Sequence, residues 1–400
     1  MKNINKIIEF IIFPLLLSIF CFTLYENIQP HFNYVFPCKL CDAEKYKAIF
    51  ENFVNNTYNA VYYPFHTRII TPFIASVISP RDIIAGFHTT NFIFYILSSL
   101  TLYYIWREKL KINFILSTIG LLWLSFHWSG IPRLYNLYII NVDTGAYFFE
   151  SICILLIISR KFNWFLIIAP LASFQKESFI PILIIIILYY LLSVFFLERK
   201  YLKVLLISLL LVLILKYFVN IIYPPIQSHS TLFTLYYNTL MVVDEPEVLI
   251  KIIVCFFTVF GAFVLVLIFK IKIDDFNSEI KAICFFISLL HIIFCIIGGR
   301  DLTRIIFIGF PFVMTLALLK LQECKSITIV TSILLSLPLL RISVAVPDQT
   351  KPELFYKWYL EVSSFEYVAS WGVYAIFCYI ILYHLENNNF KIDTNKKLII

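Results

Sequence analysis

Residues 83–111, IIAGFHTTNFIFYILSSLTLYYIWREKLK, decide the fold class. From Ile83 to Trp106 there is no Asp, Glu, Lys or Arg, and the run then closes on Arg107-Glu108-Lys109-Leu110-Lys111. A helix of that length reaches about 36 Å at ~1.5 Å per residue, enough for a hydrocarbon core of about 30 Å. Other apolar runs close the same way. The run from about Gly145 ends at Arg160-Lys161, that from Phe179 at Glu198-Arg199-Lys200, and that from Leu249 at Lys270-Ile271-Lys272. The run from Arg304 ends near Lys320, and the last leads to Lys396-Lys397. Basic residues gather in cytoplasmic loops, so these ends share one side and the intervening runs return to the other. The returns are about Ile112–Gly130, Trp164–Phe174, Tyr201–Tyr223, Ala282–Gly298 and Ile327–Val346. Trp164–Phe174 is short for a span and reads as a broken or re-entrant helix ending at Gln175-Lys176-Glu177-Ser178.

The composition agrees. Of 400 residues 60% are hydrophobic and 14% charged, against about half and a quarter in a soluble domain. The net charge of +7 therefore reports topology, and no nucleic-acid partner is expected. The start, Met1-Lys2-Asn3-Ile4-Asn5-Lys6, precedes an apolar stretch to about Tyr25. That stretch is long for a signal peptide and lacks a small-residue cleavage pattern, so it reads as an uncleaved first helix. No linker or short repeat divides the chain. The predicted fold is all-α: one integral membrane domain over residues 1–400, a polytopic helical bundle of about twelve spans with both termini cytoplasmic.

Three long connections, 26–80, 224–247 and 347–367, then fall on the outer side with a shorter one at 131–144, while the inner loops are short. Loops on a rigid scaffold carry function, so the working face is expected outside. Six of the nine cysteines, Cys21, Cys153, Cys255, Cys284, Cys295 and Cys378, sit in apolar runs and read as small hydrophobes. Cys38 and Cys41 form a lone Cys-x-x-Cys, too few ligands for structural zinc; a local disulfide and two free thiols both remain open.

The first outer loop holds Asp42 and Glu44. A carboxylate at the membrane surface can serve as a general base on a hydroxyl, or hold a divalent metal beside a phosphate; a solvated loop is the alternative. Arg68 follows the aromatic stretch Tyr62-Tyr63-Pro64-Phe65 and precedes an apolar segment to Pro80, read as an interfacial or cavity-lining helix. Its planar fork suits phosphate, and headgroup snorkelling is the alternative. Arg133 and Asp143 lie in the short outer loop, and Lys176 and Glu177 end the short span. In Gly298-Gly299-Arg300-Asp301-Leu302-Thr303-Arg304, Arg300 and Arg304 fall about one helical turn apart. That suits an anion such as a diphosphate, with a surface ion pair around Asp301 as the alternative. Lys216 and Arg341, near the outer ends of their runs, fit the same outer-leaflet anion site. His88, Thr89, Thr90 and Asn91 read as interhelical hydrogen-bonding groups. No transition-metal cluster, Walker motif or dinucleotide motif occurs.

With these residues in hand, the chain resembles the GT-C superfamily of integral membrane glycosyltransferases. The resemblance rests on Asp42-Ala43-Glu44-Lys45-Tyr46 in the first outer loop, on Arg68-Ile69-Ile70-Thr71-Pro72, and on Gly299-Arg300-Asp301-Leu302-Thr303-Arg304. Asp42 and Glu44 are separated by Ala43 where the family pattern pairs acidic residues, and no large soluble C-terminal domain follows the last run. The resemblance implies a polyprenyl-phosphate-linked sugar donor and a glycan, lipid or protein acceptor. It implies action on the outer side of a bacterial inner (plasma) membrane, in cell-envelope glycan assembly. Asp42, or Glu44 in its place, would activate the acceptor. Arg68, Arg300 and Arg304 would neutralise the leaving phosphate, with Lys176, Glu177 and Asp301 lining the site and possible use of a divalent metal. An O-antigen-type polymerase or ligase, and a polysaccharide or lipid transporter or flippase, are the competing classes.

Overall fold

The computed structural model describes residues 6–28, 42–133, 139–192, 199–226, 236, 239–240, 244, 247–297, 302–342 and 352–388. Cys38, Cys41, Arg300 and Asp301 lie outside the described residues. A π-helical turn, Ile8–Ile12, leads into α1, Phe13–Ile28. The segment starting at Asp42, expected as loop, is an amphipathic helix, α2, Asp42–Asn55. The apolar segment after Arg68 is a short helix, α3, Ile70–Ile78.

The deciding run forms α4, Ile83–Tyr104. Asp82 starts it by accepting the Ala85 N–H at 3.0 Å, an N-cap that satisfies one orphan donor. Asn113 caps α5, Phe114–Phe126, by accepting the Leu116 N–H at 2.8 Å. Then come α6, Asp143–Ile158, α7, Phe165–Gln175, α8, Phe179–Leu192, and α9, Arg199–Ile222. The run from Leu249, expected as one straight span, is two helices, α10, Glu247–Phe260, and α11, Phe263–Lys270, bent by 110°. Gly261 makes the break: its φ of +70° lies in the left-handed region, where glycine carries no Cβ penalty.

After α12, Glu279–Ile297, a second bent pair follows, α13, Leu302–Ile308, and α14, Phe310–Leu321, at 68°. The chain closes with α15, Ser326–Ser336, α16, Pro352–Ser363, and α17, Phe365–Asn387. Among the described residues there is no strand; one isolated parallel bridge joins Tyr62 to Ile226.

Among the described residues six helices are long and apolar enough to cross a membrane, or eight if each bent pair is one span. The chain is an integral membrane protein. Three further apolar helices, at Phe162–Gln175, Phe179–Leu192 and Ser326–Leu340, are shorter than a standard span, which is why length alone gives fewer than the twelve expected. Two buried indoles inside the bundle find partners on neighbouring helices. The Trp106 indole donates to Thr315 Oγ1 at 2.9 Å, and the Trp123 indole donates to the Val259 carbonyl at 2.9 Å.

The basic helix ends gather at one end of the bundle. Arg107 pairs with Glu9, Arg160 with Glu279, Lys281 and Lys320 with Asp275, and Lys270 with Glu386. The start of α6, the end of α7 and the start of α13 lie at the opposite end.

Candidate functional site

At that opposite end six segments bring charged side chains together. α2 supplies Asp42, Lys45 and Tyr46, and the turn before α3 supplies His66, Thr67 and Arg68. α6 supplies Asp143, the α7–α8 connection supplies Lys176 and Glu177, α9 supplies Lys216, and α13 supplies Arg304.

Local chemistry fixes each approach. Asp42 opens α2, where the helix dipole favours a carboxylate. Asn141 Oδ1 accepts the Asp143 N–H at 3.1 Å and so shapes the turn into α6. The Asn91 amide, from the polar patch on α4, donates to the carbonyls of Ile139 and Asn141 at 3.0 and 3.3 Å and holds that turn from behind. Gln175, the last residue of α7, donates to the Val142 carbonyl and exchanges hydrogen bonds with Thr71 of α3. Its amide packs on Gly145, where any Cβ would collide with it. Lys176 is extended, with φ −157° and ψ 133°. In extended backbone, successive side chains point to opposite sides, so the adjacent Lys176 and Glu177 serve different partners.

The Lys176 ammonium donates to Asp143 Oδ1 at 2.5 Å. Arg304 Nε lies 2.7 Å from Asp143 Oδ2, close in charge but off the line of a hydrogen bond. Arg304 also donates through Nη2 to Asp42 Oδ2 at 3.1 Å, and Lys45 Nζ stands 3.7 Å from Asp42 Oδ1. Arg68 grips Glu177 with two donors, Nε to Oε2 at 2.8 Å and Nη2 to Oε1, and gives Nη1 to the Tyr46 hydroxyl at 2.7 Å. The Phe65 ring lies under both Arg68 and Lys45, at 4.5 and 4.2 Å. Lys216 donates to Thr67 Oγ1 at 3.2 Å, and His66 Nε2 is 2.6 Å from Asn220 Oδ1.

The network has a buried half and an accessible half. Asp143 is 1% exposed, whereas the Asp42 side chain is 37% exposed. Burial by itself would raise the carboxyls of Asp143 and Glu177. Arg304 and Lys176 instead hold Asp143 well below the usual carboxylate range, and Arg68 takes Glu177 down to about 2. Burial pushes the Lys176 ammonium down, with Asp143 opposing it, and pushes the Tyr46 phenol up. Five cations, Lys45, Arg68, Lys176, Lys216 and Arg304, face three carboxylates, Asp42, Asp143 and Glu177.

Of the residues expected from sequence, Asp42, Arg68, Lys176, Glu177 and Arg304 meet here. Glu44 sits two positions along α2 and is partly buried; i and i+2 on a helix do not face each other. Lys216 joins the cluster. Arg341 packs elsewhere, against Trp128, Tyr367 and Trp371. Asp143 and Tyr46, named in the sequence only by their place in outer loops, turn out to be central to the network. Asp143 is its hub, and the only sequence signal was a carboxylate placed directly before an apolar run. Tyr46 had no signal beyond its place in the first loop. Among the described residues no three His, Cys, Asp or Glu side chains converge to hold a metal ion.

No protein-family model, curated protein or solved structure matches the chain.

Proposed function

We propose that the chain is a membrane glycosyltransferase of GT-C-like architecture. It moves a sugar from a polyprenyl-phosphate-linked donor to a glycan, lipid or protein acceptor on the outer side of a bacterial inner membrane. In this reading α6, α7, α8 and α15 are short traverses and the two bent pairs are single traverses, giving twelve with both termini inside. The observation that carries it is the bridge from Asp42, in the first connection, through Arg304, which begins a late helix, to Asp143. Asp42 is the exposed carboxylate of a network rich in cations. It would orient and deprotonate the acceptor hydroxyl. The surplus positive charge around it would stabilise the departing lipid phosphate where charge develops. Arg68 and Arg304 are already engaged by carboxylates, so they act as a fixed electrostatic frame.

Transfer measured in membranes carrying Asp42→Asn or Glu44→Gln tests this. A general base contributes about 10²–10⁴-fold, so one of the two variants should fall by that order. Full transfer in both removes the first-loop base and favours a polymerase or ligase, which would depend on arginine alone.

The two bent helix pairs support a second reading, because transporters build sites at paired helix breaks. Reconstituted vesicles separate the two: movement of a lipid-linked sugar across the bilayer with no transfer to acceptor would establish transport.

A further inference from the structure

We propose a proton-binding site inside the bundle, separate from the outer carboxylate network: Glu150 of α6 and His291 of α12 hold one shared proton between them. Both side chains are buried, 2% and 0% exposed, and Glu150 Oε1 stands 3.6 Å from His291 Nε2. Neither Glu150 oxygen nor His291 Nε2 has a hydrogen-bond partner among the described residues. Glu150 lies two turns along α6 from Asp143, near the middle of that helix. A charge at that depth is costly, and ionisable groups within spans mark proton relays and ligand sites. The other imidazole nitrogen decides how the pair is protonated. Nδ1 lies 2.8 Å from the Ile287 carbonyl oxygen. A carbonyl only accepts, so Nδ1 carries the hydrogen and Nε2 is the nitrogen left to face Glu150.

Three proton counts are open to the pair, and burial selects one. With no proton between them, a bare carboxylate faces a bare Nε2, and the buried charge has no donor. With two, an imidazolium faces a neutral acid and lacks a counter-ion. With one, the pair is neutral overall and gains a hydrogen bond, either acid O–H to Nε2 or imidazolium N–H to carboxylate. The surrounding groups leave that count in place. The Lys176 ammonium acts on Glu150 through space but is paired with Asp143. The Cys153 thiol, one turn along α6, also faces Glu150, with the buried Cys284 thiol beyond it. Of the helices packed around the pair, α4, α7 and α8 contain no Asp, Glu, Lys or Arg. Arg304 of α13 and Lys320 of α14 are engaged by Asp143 and Asp275, and Glu279 and Lys281, which begin α12, by Arg160 and Asp275. Glu247 and Lys251 sit in the first two turns of α10. Gly309, at the break between α13 and α14, packs so closely on the His291 ring that a Cβ would stand 2.6 Å from its Cγ. The proton site thus abuts the start of the break behind α13, the helix that carries Arg304 to Asp42 and Asp143. The claim stands whether or not the chain transfers sugar.

Counting protons spectroscopically on the full-length protein in lipid vesicles at neutral pH tests it. Infrared difference spectra against Glu150→Gln report whether Glu150 is a carboxyl or a carboxylate. The nitrogen resonances lost in His291→Gln report whether Nε2 carries hydrogen. One proton is expected: a carboxyl band with a bare Nε2, or a carboxylate band with an Nε2–H. In Glu150→Gln, whose amide donates as a protonated acid does and brings no charge, Nε2 should be bare. If Glu150→Gln does not fold, Glu150→Asp shifts the same infrared band and assigns it. A carboxylate beside a bare Nε2, a carboxyl beside an Nε2–H, or an imidazolium that persists in Glu150→Gln would each overturn the site.

Discussion

Asp143→Asn removes one negative charge from the most buried carboxylate of the network. Asp143 is 1% exposed and lies 2.5 Å from the Lys176 ammonium and 2.7 Å from Arg304 Nε. The amide keeps the shape and one acceptor, but it leaves Lys176, itself 12% exposed, without its counter-ion. Breaking a buried pair by removing one partner costs about 3–5 kcal/mol. Arg304 retains Asp42, which puts the expected loss near the lower end, about 3 kcal/mol. Asp42→Asn is the matched control. It breaks a pair between accessible groups, for which ~0–1 kcal/mol is usual. Thermal unfolding followed by intrinsic fluorescence of the six tryptophans compares them in one detergent. Asp143→Asn should lower the midpoint several times further than Asp42→Asn. Adding Lys176→Met to Asp143→Asn should recover part of the loss, with a coupling of about 1–3 kcal/mol. Equal midpoints for the two single variants, or a double variant whose losses simply add, would refute the hub assigned to Asp143.

Glu177 gives a pH signature. Arg68 holds its carboxyl at about 2 in the folded protein, against ~4.3 for an ordinary Glu. A depressed folded value stabilises above the unfolded one, and that contribution is lost as pH falls from about 4.3 toward 2. Glu177→Gln should therefore be less stable than wild type at neutral pH, with the gap narrowing below about pH 4; a gap independent of pH contradicts the Arg68 pairing. Gly261→Ala should destabilise by about 1 kcal/mol or more, since φ +70° is strained for alanine and its Cβ would stand 2.7 Å from Ser336 Oγ; an unchanged midpoint would mean the bend is not set there. Asn91→Ala, which frees the turn before Asp143, should lower both stability and transfer; an effect on stability alone would separate the turn from the site.

The long spans were legible because lipid imposes a crude rule, and residues 83–106 obey it without exception. The polar ending of α7 at Gln175 was legible too, since an apolar run that stops early leaves its polar residues in view. The break at Gly261 was not, because a lone glycine in an apolar run gives no sign whether its backbone turns left-handed. Within the site, Asp42, Arg68 and Arg304 could be picked as charges that lacked a topological reason. Their partners could not. Asp42 and Arg304 are 262 positions apart, and no local pattern tells an arginine which carboxylate the fold will deliver. The same gap sent Arg341 to the wrong group: its position at a helix end matched Lys216, but the tertiary fold gives it to Trp128 and Trp371 instead.

The most direct test of the central claim is the fate of a radiolabelled sugar on a short-chain polyprenyl phosphate, presented to vesicles containing the wild-type protein or Asp42→Asn together with extracted envelope glycan as acceptor. The account expects the label to leave the lipid fraction and enter the acceptor with wild type, and to do so about 10²-fold or more slowly with Asp42→Asn. Label that stays on the lipid, or transfer that is unchanged in both Asp42→Asn and Glu44→Gln, would contradict it.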